Sequence, residues 1–588
     1  MGVDIRHAIV IFPVVQEWPA LDARNSHLSP FVAFAHGPQL WREDFMAVVQ
    51  DAVLNTGAEL PPGASAGSLG PNIQISNPRT GEALYVLTQA GEEAISQAYS
   101  RARAAAPQLA AMTVKQRMAE LTKLHDYIRD HREEIVERIV AECGKTRTEG
   151  MLTEIFPVLD LIQHYQKTAH KVLRDEKVPT PMVLFGKKSR VYYEPLGTVL
   201  IISPWNYPFN LSLCPIVTAV AAGNTVVFKP SEHTPLQGLL EEIIKRSGFM
   251  KEAVQVVYGG REVGRRCIDH RPSKVFFTGS EAAGKAIMRQ CSEHLTPVEL
   301  ELGGKDPMIV FADANLNRSV NGALWGCMTN SGQTCVSVER IYVEAPLYDD
   351  FVTQLKEDVE RITTSGNREH DFDDRDIDMG CMTAEFQVEK LEDQVHDAVA
   401  KGATLIAGGR RKPGTRHFEP TLITGVTPEM KIYYEESFGP VATVMPFTTE
   451  EEAIRLANDS PYGLCASVWS GDAARADRVA RAIVTGGVNI NNVITTQGNA
   501  ALPFGGAKSS GMGRYKGPHG LYSFCNIKAV MIDRNSGRYE PIWYPYTRKK
   551  YDLVSKLVEH AFSPGLLHRL RMMLIGLRLE LLEKKRHF

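Results

Sequence analysis

The chain lacks the cysteine spacing of a metal or redox centre. Its nine cysteines (143, 214, 267, 291, 327, 335, 381, 465 and 525) are odd in number and scattered, and none forms a Cys-x-x-Cys pair. That excludes a zinc site, a thioredoxin-like pair and an evident disulfide framework, and it suits a reducing compartment. No metal is expected. An excess of one charge sign is missing as well. Lys plus Arg number 66 against 69 Asp plus Glu, a net −3, so no basic field points to nucleic acid. An uninterrupted membrane span is also lacking. Residues 195–228 carry no charge, but Pro204, Pro208, Pro215, Asn206, Asn210 and Asn224 break the run, and polar groups there would go unsatisfied in lipid. The apolar stretch AIVIFPVV at 8–15 holds Pro13, follows Asp4 and has no small-residue cleavage pattern, so a signal peptide is not expected. Arg6 stands where myristoylation wants Ser or Thr. Together these point to a cytoplasmic protein.

A length of 588 residues exceeds one ordinary core and predicts two large domains with appendages. Residues 59–71 (ELPPGASAGSLGP) read as a linker behind an N-terminal extension. In that extension Phe45, Val48, Val49, Ala52 and Val53 share a helical face. Amphipathic helices follow through about Leu173, then the strand signal RVYYEP. Residues 195–228 read as strand (GTVLII), loop (SPWNYP), buried helix (LSLCPIVTAVAAG) and strand (NTVVFKP). KVFFTGS with EAAGKAIMRQ repeats strand-then-helix, and DPMIVF begins another strand. Continuous apolar strands alternating with helices predict an α/β fold with a mainly parallel sheet.

Chemically suggestive residues fall at the ends of these strands, where open α/β sheets bind ligands. Cys335 follows the small and polar run Ser331-Gly332-Gln333-Thr334 rather than apolar neighbours, an unusual setting for an inert thiol. FTGSEAAG puts Ser280 at a strand-to-helix turn, either meeting a phosphate or serving as a plain helix cap. Glu299 and Glu301 lie among apolar residues before two glycines, so either could be a raised-pKa base or an exposed edge glutamate. Asn206 in SPWNYP offers an amide donor for an oxyanion or for a turn. Lys229 and Glu232 could hold sugar hydroxyls or mark a strand's exit into solvent.

The motifs PWNYP, VVFKPSE, FTGS, ELGGKDP, GQTC, EESFGPV and PFGGAKSSGMGR occur in one order between NPRTGE at 77–82 and about Arg534. In this the chain resembles the NAD(P)-dependent aldehyde dehydrogenase superfamily. The resemblance implies an aldehyde-dehydrogenase-like α/β fold: a Rossmann-type cofactor domain (71–176 and 192–302), an α/β catalytic domain (303–498) and a small β oligomerisation arm (177–191 with 520–536). The extensions 1–70 and 537–588 lie outside it. By the same resemblance Cys335 matches the nucleophile, Glu301 the general base and Asn206 the oxyanion donor. Lys229 and Glu232 match the adenosine-ribose contacts, Ser280 a pyrophosphate contact, and Glu436 and Phe438 the residues that set the nicotinamide. The implied reaction runs from thiohemiacetal through hydride loss to NAD, then to a thioester that Glu301 hydrolyses by activating water. NAD is expected over NADP because Glu232 would repel a 2′-phosphate; NADP remains the alternative cofactor. A homo-oligomer, in the simplest case a homodimer, is implied. The rivals are a CoA-acylating relative, which typically lacks the base present here as Glu301, and a non-catalytic structural descendant of the fold.

Two further stretches invite attention. DDRDIDMG at 373–380 imitates a calcium loop, with Asp374, Asp376, Asp378 and Glu385 spaced like ligands, but Gly380 is one place late for the turn. In the tail, Leu567, Leu570, Leu574, Leu577 and Leu581 form one helical stripe, widened by Leu566 and Met573. From Pro564 onward six Lys or Arg stand against two Glu, with Arg569, Arg571 and Arg578 inside the apolar part. The stripe is expected to dock on the protein or a second subunit. The alternative is a basic amphipathic helix lying on an anionic membrane.

Overall fold

The computed structural model describes residues 70–588 apart from 185, 366–375, 534–539 and 584–588. The expected helical face at Phe45–Val53 and residues 373–375 of the acidic stretch lie outside the described residues. Of that stretch's other acids, Asp378 accepts from the Thr363 N–H (2.9 Å) and hydroxyl (2.7 Å). Glu385 pairs with Arg411 and Arg416.

Two mainly parallel sheets, each with an antiparallel edge strand, organise the body. The first runs Thr198–Ile202, Thr225–Lys229, Val254–Val256, Val275–Thr278 and Val298–Glu301, all parallel, with Gly511–Met512 added antiparallel beside Val298–Glu301. Every residue of Thr198–Ile202 and Thr225–Lys229 is buried, which explains why these strands read as unbroken apolar runs. The helix between them, Asn210–Ala222, is apolar on all sides and sits in the core. The second sheet has seven strands, with Asp306–Val310 and Val338–Glu344 adjacent and parallel near its centre. A third, antiparallel sheet joins Glu176–Val178, Lys188–Pro195 and Cys525–Ile532. The sequence-read elements around the site thus form as expected, and the chain's first sheet hands directly to the second between Glu301 and Asp306.

The tail is helical, and its stripe is not docked on the rest of this chain. Arg548–Ala561 and Leu566–Glu583 form a hairpin. The face of the second helix carrying Ile575 and Leu579 is buried, whereas Leu567, Leu570, Leu574, Leu577 and Leu581 remain 50–58% exposed. This helix has two apolar faces on opposite sides, and the first helix covers the one the leucine spacing did not single out. A periodicity identifies an apolar face without saying what covers it.

Candidate active site

All eight side chains singled out from the motifs (Asn206, Lys229, Glu232, Ser280, Glu301, Cys335, Glu436 and Phe438) line one cleft of about 870 Å³ at the strand ends of the first sheet. The nucleophile candidate is held by an unusual loop. Asn330, Ser331 and Gly332 take φ of +54°, +54° and +69° in succession, a run that costs energy in non-glycine residues and must be imposed by the surroundings. The restraints are visible. Glu149 accepts from the Asn330 N–H (2.5 Å), the Asn330 amide donates to the Asn206 and Gln333 carbonyls (3.1 Å each), and Ser331 donates to Gly380 O (3.1 Å). A Cβ at Gly332 would sit 2.0 Å from Gly439 O, so only glycine fits there.

Cys335 is the one partly exposed cysteine of the nine; the other eight are buried. Burial among protein atoms, followed by the charges of Asp306, Glu436 and Glu301, pushes its thiol upward. Asn206 donates through Nδ2 to Gln333 O (2.9 Å), two residues before the thiol, which leaves the second hydrogen of the amide. Its loop is anchored from below by a fully buried pair. Lys145 Nζ lies 2.6 Å from Glu154 and 2.9 Å from Asn206 O, while Glu154 accepts from the Phe209 and Asn210 N–H groups.

Glu301 is 3% exposed, and neither of its carboxyl oxygens has a hydrogen-bond partner. Burial and then the neighbouring Glu299 carboxylate raise its pKa well above the usual carboxylate range, as an acid–base group working near neutrality requires. Glu299, two residues earlier on the strand, is instead paired with Lys274 (2.5 Å). The structure therefore separates two glutamates that look alike in sequence.

At the far end of the cleft Lys229 Nζ meets Glu232 at 3.1 Å. Burial works against the Glu232 carboxylate, but the Lys229 charge and hydrogen bonds outweigh it and hold its pKa low. Ser280 caps the helix Glu281–Ser292, its hydroxyl accepting from Ala283 N (3.3 Å). The plain-cap alternative therefore describes what this hydroxyl does here, at a helix N-terminus that opens on the cleft. Glu436 accepts from Gly304 N (2.9 Å), and its carboxyl is raised to about 7, by burial first and then by Glu339. Phe438 sits at φ +52°, its ring edge-on to Trp205 at 5.4 Å.

Sequence reasoning missed the group that fixes this last segment. Glu339, 2% exposed, accepts from Ser437 N (2.7 Å), Phe438 N (3.0 Å) and Lys305 Nζ (2.6 Å). The adjacent charged residues Glu339 and Arg340 inside the otherwise apolar strand VERIYV were the available signal. Missed too were Gln497, whose Nε2 lies 4.0 Å from Cys335 Sγ, and the buried Lys516 behind it.

The arrangement fits a dinucleotide. A carboxylate–lysine pair stands at a strand end, a helix N-terminus follows, and an unpartnered buried carboxylate faces a thiol. The model of the aldehyde dehydrogenase family matches residues 65–530. The chain is 40% identical over 460 residues to 4,4′-diapolycopene aldehyde oxidase from Methylomonas sp, covering 78% of this chain and 85% of that one. It is 36% identical to a putative NADP(+) succinate-semialdehyde dehydrogenase of Mycolicibacterium smegmatis, covering 77% and 87%. Among solved structures, the NAD+ complex of an aldehyde dehydrogenase from Bacillus cereus superposes with TM-score 0.74 at 34% identity, covering 79% of this chain and 94% of that one. A betaine aldehyde dehydrogenase variant from Staphylococcus aureus with NAD+ gives 0.75 at 33%, covering 81% and 96%.

Proposed function

The chain belongs to the aldehyde dehydrogenase family and oxidises aldehydes to carboxylic acids with a nicotinamide cofactor, NAD or NADP, and on that premise we propose that Cys335 is its nucleophile, Asn206 its oxyanion donor and Glu301 its hydrolytic base. The observation that carries this reading is the shared cleft, lined by a partly exposed thiol, a half-used amide and an unpartnered buried carboxylate. With a dinucleotide bound, Lys229 and Glu232 would hold the adenosine ribose, Ser280 would meet the pyrophosphate, and Glu436 and Phe438 would orient the nicotinamide end. The first sheet is then the cofactor domain, the seven-stranded sheet the catalytic domain and the three-stranded sheet the oligomerisation arm. Assembly as an oligomer fits the family.

The Cys335 thiolate adds to the aldehyde carbon, and the Asn206 amide with the Cys335 N–H stabilises the oxyanion. When bound, the oxidised nicotinamide supplies the acceptor for the aldehyde hydride. Cys335 keeps the acyl group as a thioester. Glu301, with both oxygens free to accept, takes a proton from water as that water attacks the acyl carbon and the thiolate leaves. NADH should therefore form without CoA. Cys335→Ala should form none, and Glu301→Gln should give one burst of NADH per site and then stall. Normal turnover by Glu301→Gln would remove it as the base.

The aldehyde itself is proposed to be large and apolar, since the Methylomonas relative is named for a diapolycopene aldehyde. With it we infer peripheral contact with an anionic bilayer through the C-terminal hairpin. The exposed leucine stripe is flanked by Arg571 and Arg578, and the segment before the hairpin exposes Trp543, Tyr544 and Tyr546 beside Arg548 and Lys549. Interfacial aromatics, a basic fringe and an apolar stripe are the signature of a surface-lying helix. No helix among the described residues is long and apolar enough to cross a membrane. The intact enzyme should co-sediment with phosphatidylserine vesicles and release in high salt, while a chain ending at Ser563 should stay in the supernatant. Equal behaviour of the two, with a change of oligomeric state on truncation, would assign the stripe to a second subunit.

A further inference from the structure

The surroundings of Cys335 oppose the thiolate that its role demands. Asp306, Glu436 and Glu301 all face it and each favours the neutral thiol, and the Tyr207 phenol also lies within range. Something must act in the other direction, because the thiolate is the nucleophile. Beside the sulfur stands Gln497, with Nε2 4.0 Å from Sγ. Behind Gln497 lies Lys516, 6% exposed, whose Nζ donates to Gln497 O at 2.8 Å.

Lys516 is an expensive residue at this position. It holds φ +65° immediately before the helix Gly517–Ser523, and its ammonium has that single hydrogen bond plus the rings of Tyr515 (5.6 Å) and Phe504 (5.8 Å). A buried, under-bonded lysine in a sparsely populated backbone conformation persists only where the fold imposes it, and such outliers cluster at functional sites. The imposition is visible. Phe504 and Tyr515 exchange two backbone hydrogen bonds (2.7 and 2.8 Å), and Gly517 N donates to Ala500 O (2.9 Å). The loop bearing Gln497 and the turn bearing Lys516 are thereby clamped together. Burial lowers the Lys516 pKa from the usual lysine value, and the groups that act against it by favouring the charged form are Cys214, Glu301, Cys335 and Asp160.

We propose that Gln497 and Lys516 stabilise the Cys335 thiolate, Gln497 as the N–H donor to sulfur and Lys516 as a positioning residue that fixes Gln497 through its carbonyl and sets a positive charge behind it. The thiol proton passes to bulk water in the pre-equilibrium, and no further reactant is needed. This rests on Cys335 being the nucleophile.

The test is the pH dependence of iodoacetamide alkylation at Cys335, followed by peptide mass spectrometry. The other eight cysteines are buried, so the label has one accessible target. Lys516→Met keeps the stem and removes a buried charge, a change that folds tolerate. Its alkylation midpoint should rise by about one pH unit or more, the scale of a lost neighbouring charge, and its rate at pH 7.5 should fall about tenfold. Gln497→Leu should shift the same way, and Gln497→Glu further still. A purely structural clamp would not order the midpoints by charge. Coincident profiles in variants that still bind NADH and melt like the parent overturn the proposal. If Lys516→Met does not fold, Gln497→Leu decides it alone, since that change removes the group nearest the sulfur. A parent protein that loses no activity when Cys335 is labelled would instead overturn the nucleophile assignment.

Discussion

Gly304→Ala tests how closely the first sheet's exit must approach the nucleophile. Gly304 is not in the left-handed region, so alanine can adopt its backbone conformation and the effect reduces to contact. A Cβ there would stand 2.2 Å from the carbonyl oxygen of Cys335 itself. Reaching even 3.0 Å requires a retreat of about 0.8 Å, and an ordinary 3.4 Å contact about 1.2 Å. Neither side yields easily. The second neighbour, Asp306 Oδ1 at 3.0 Å, is tied to Cys465 N, and the Cys335 loop is pinned by Glu149 and Ser331. Misplacing a reacting group by about 1 Å costs on the order of a hundredfold, roughly 2.7 kcal/mol of barrier. The NADH burst with saturating cofactor and aldehyde, followed by stopped flow, should slow by about that factor. NADH binding should survive through the adenosine end, because Lys229 and Glu232 lie at the far end of the cleft. Gly576→Ala is the control: its Cβ meets nothing within 4 Å, so the burst should be unchanged. A folded Gly304→Ala enzyme whose burst stays within about threefold of the parent would refute the close-approach argument.

Cofactor choice and pH provide two further tests. Glu232→Ser removes the carboxylate that would repel a 2′-phosphate, so the ratio of kcat/KM for NAD over NADP should fall by at least about tenfold; an unchanged ratio would show that Glu232 does not read the ribose. For Glu436 the sign follows from its pKa, raised from 4.5 to about 7. Between those values the folded apoenzyme keeps a proton that the unfolded chain has released, so this group's contribution to stability falls as pH rises across the window, by at most about 1.4 kcal/mol per pH unit. Thermal midpoints from pH 5 to 8 should show Glu436→Gln losing that slope, and parallel curves would contradict the assignment.

How far the chain could be read before folding depends on what encodes each feature. Buried parallel strands need apolar side chains on both faces, so Thr198–Ile202, Thr225–Lys229 and Val275–Thr278 were legible as runs, and the loops between them carried motifs in a recognisable order. Cys335, Glu301 and Asn206 were singled out by the ordered motifs that carry them, since residue chemistry alone left each with an ordinary alternative. What could not be read are pairings across long chain separation. Glu339 reaches Phe438 from another strand, Glu149 reaches Asn330 from a helix far earlier, and Lys516 stands behind Gln497 only because two loops are clamped. Local sequence also could not separate Glu299 from Glu301, since Lys274, which neutralises only the first, comes from the neighbouring strand's edge. In the tail, spacing showed an apolar stripe but not which of two opposite faces the first helix would cover. Sequence alone thus determined the fold class, the family motifs and the candidate reactive groups, because periodicity and motif order are properties of the chain itself. Only the tertiary structure decided which carboxylates are left unpaired, what holds the thiol and which leucines face outward, because those depend on which distant groups packing brings within a few ångströms.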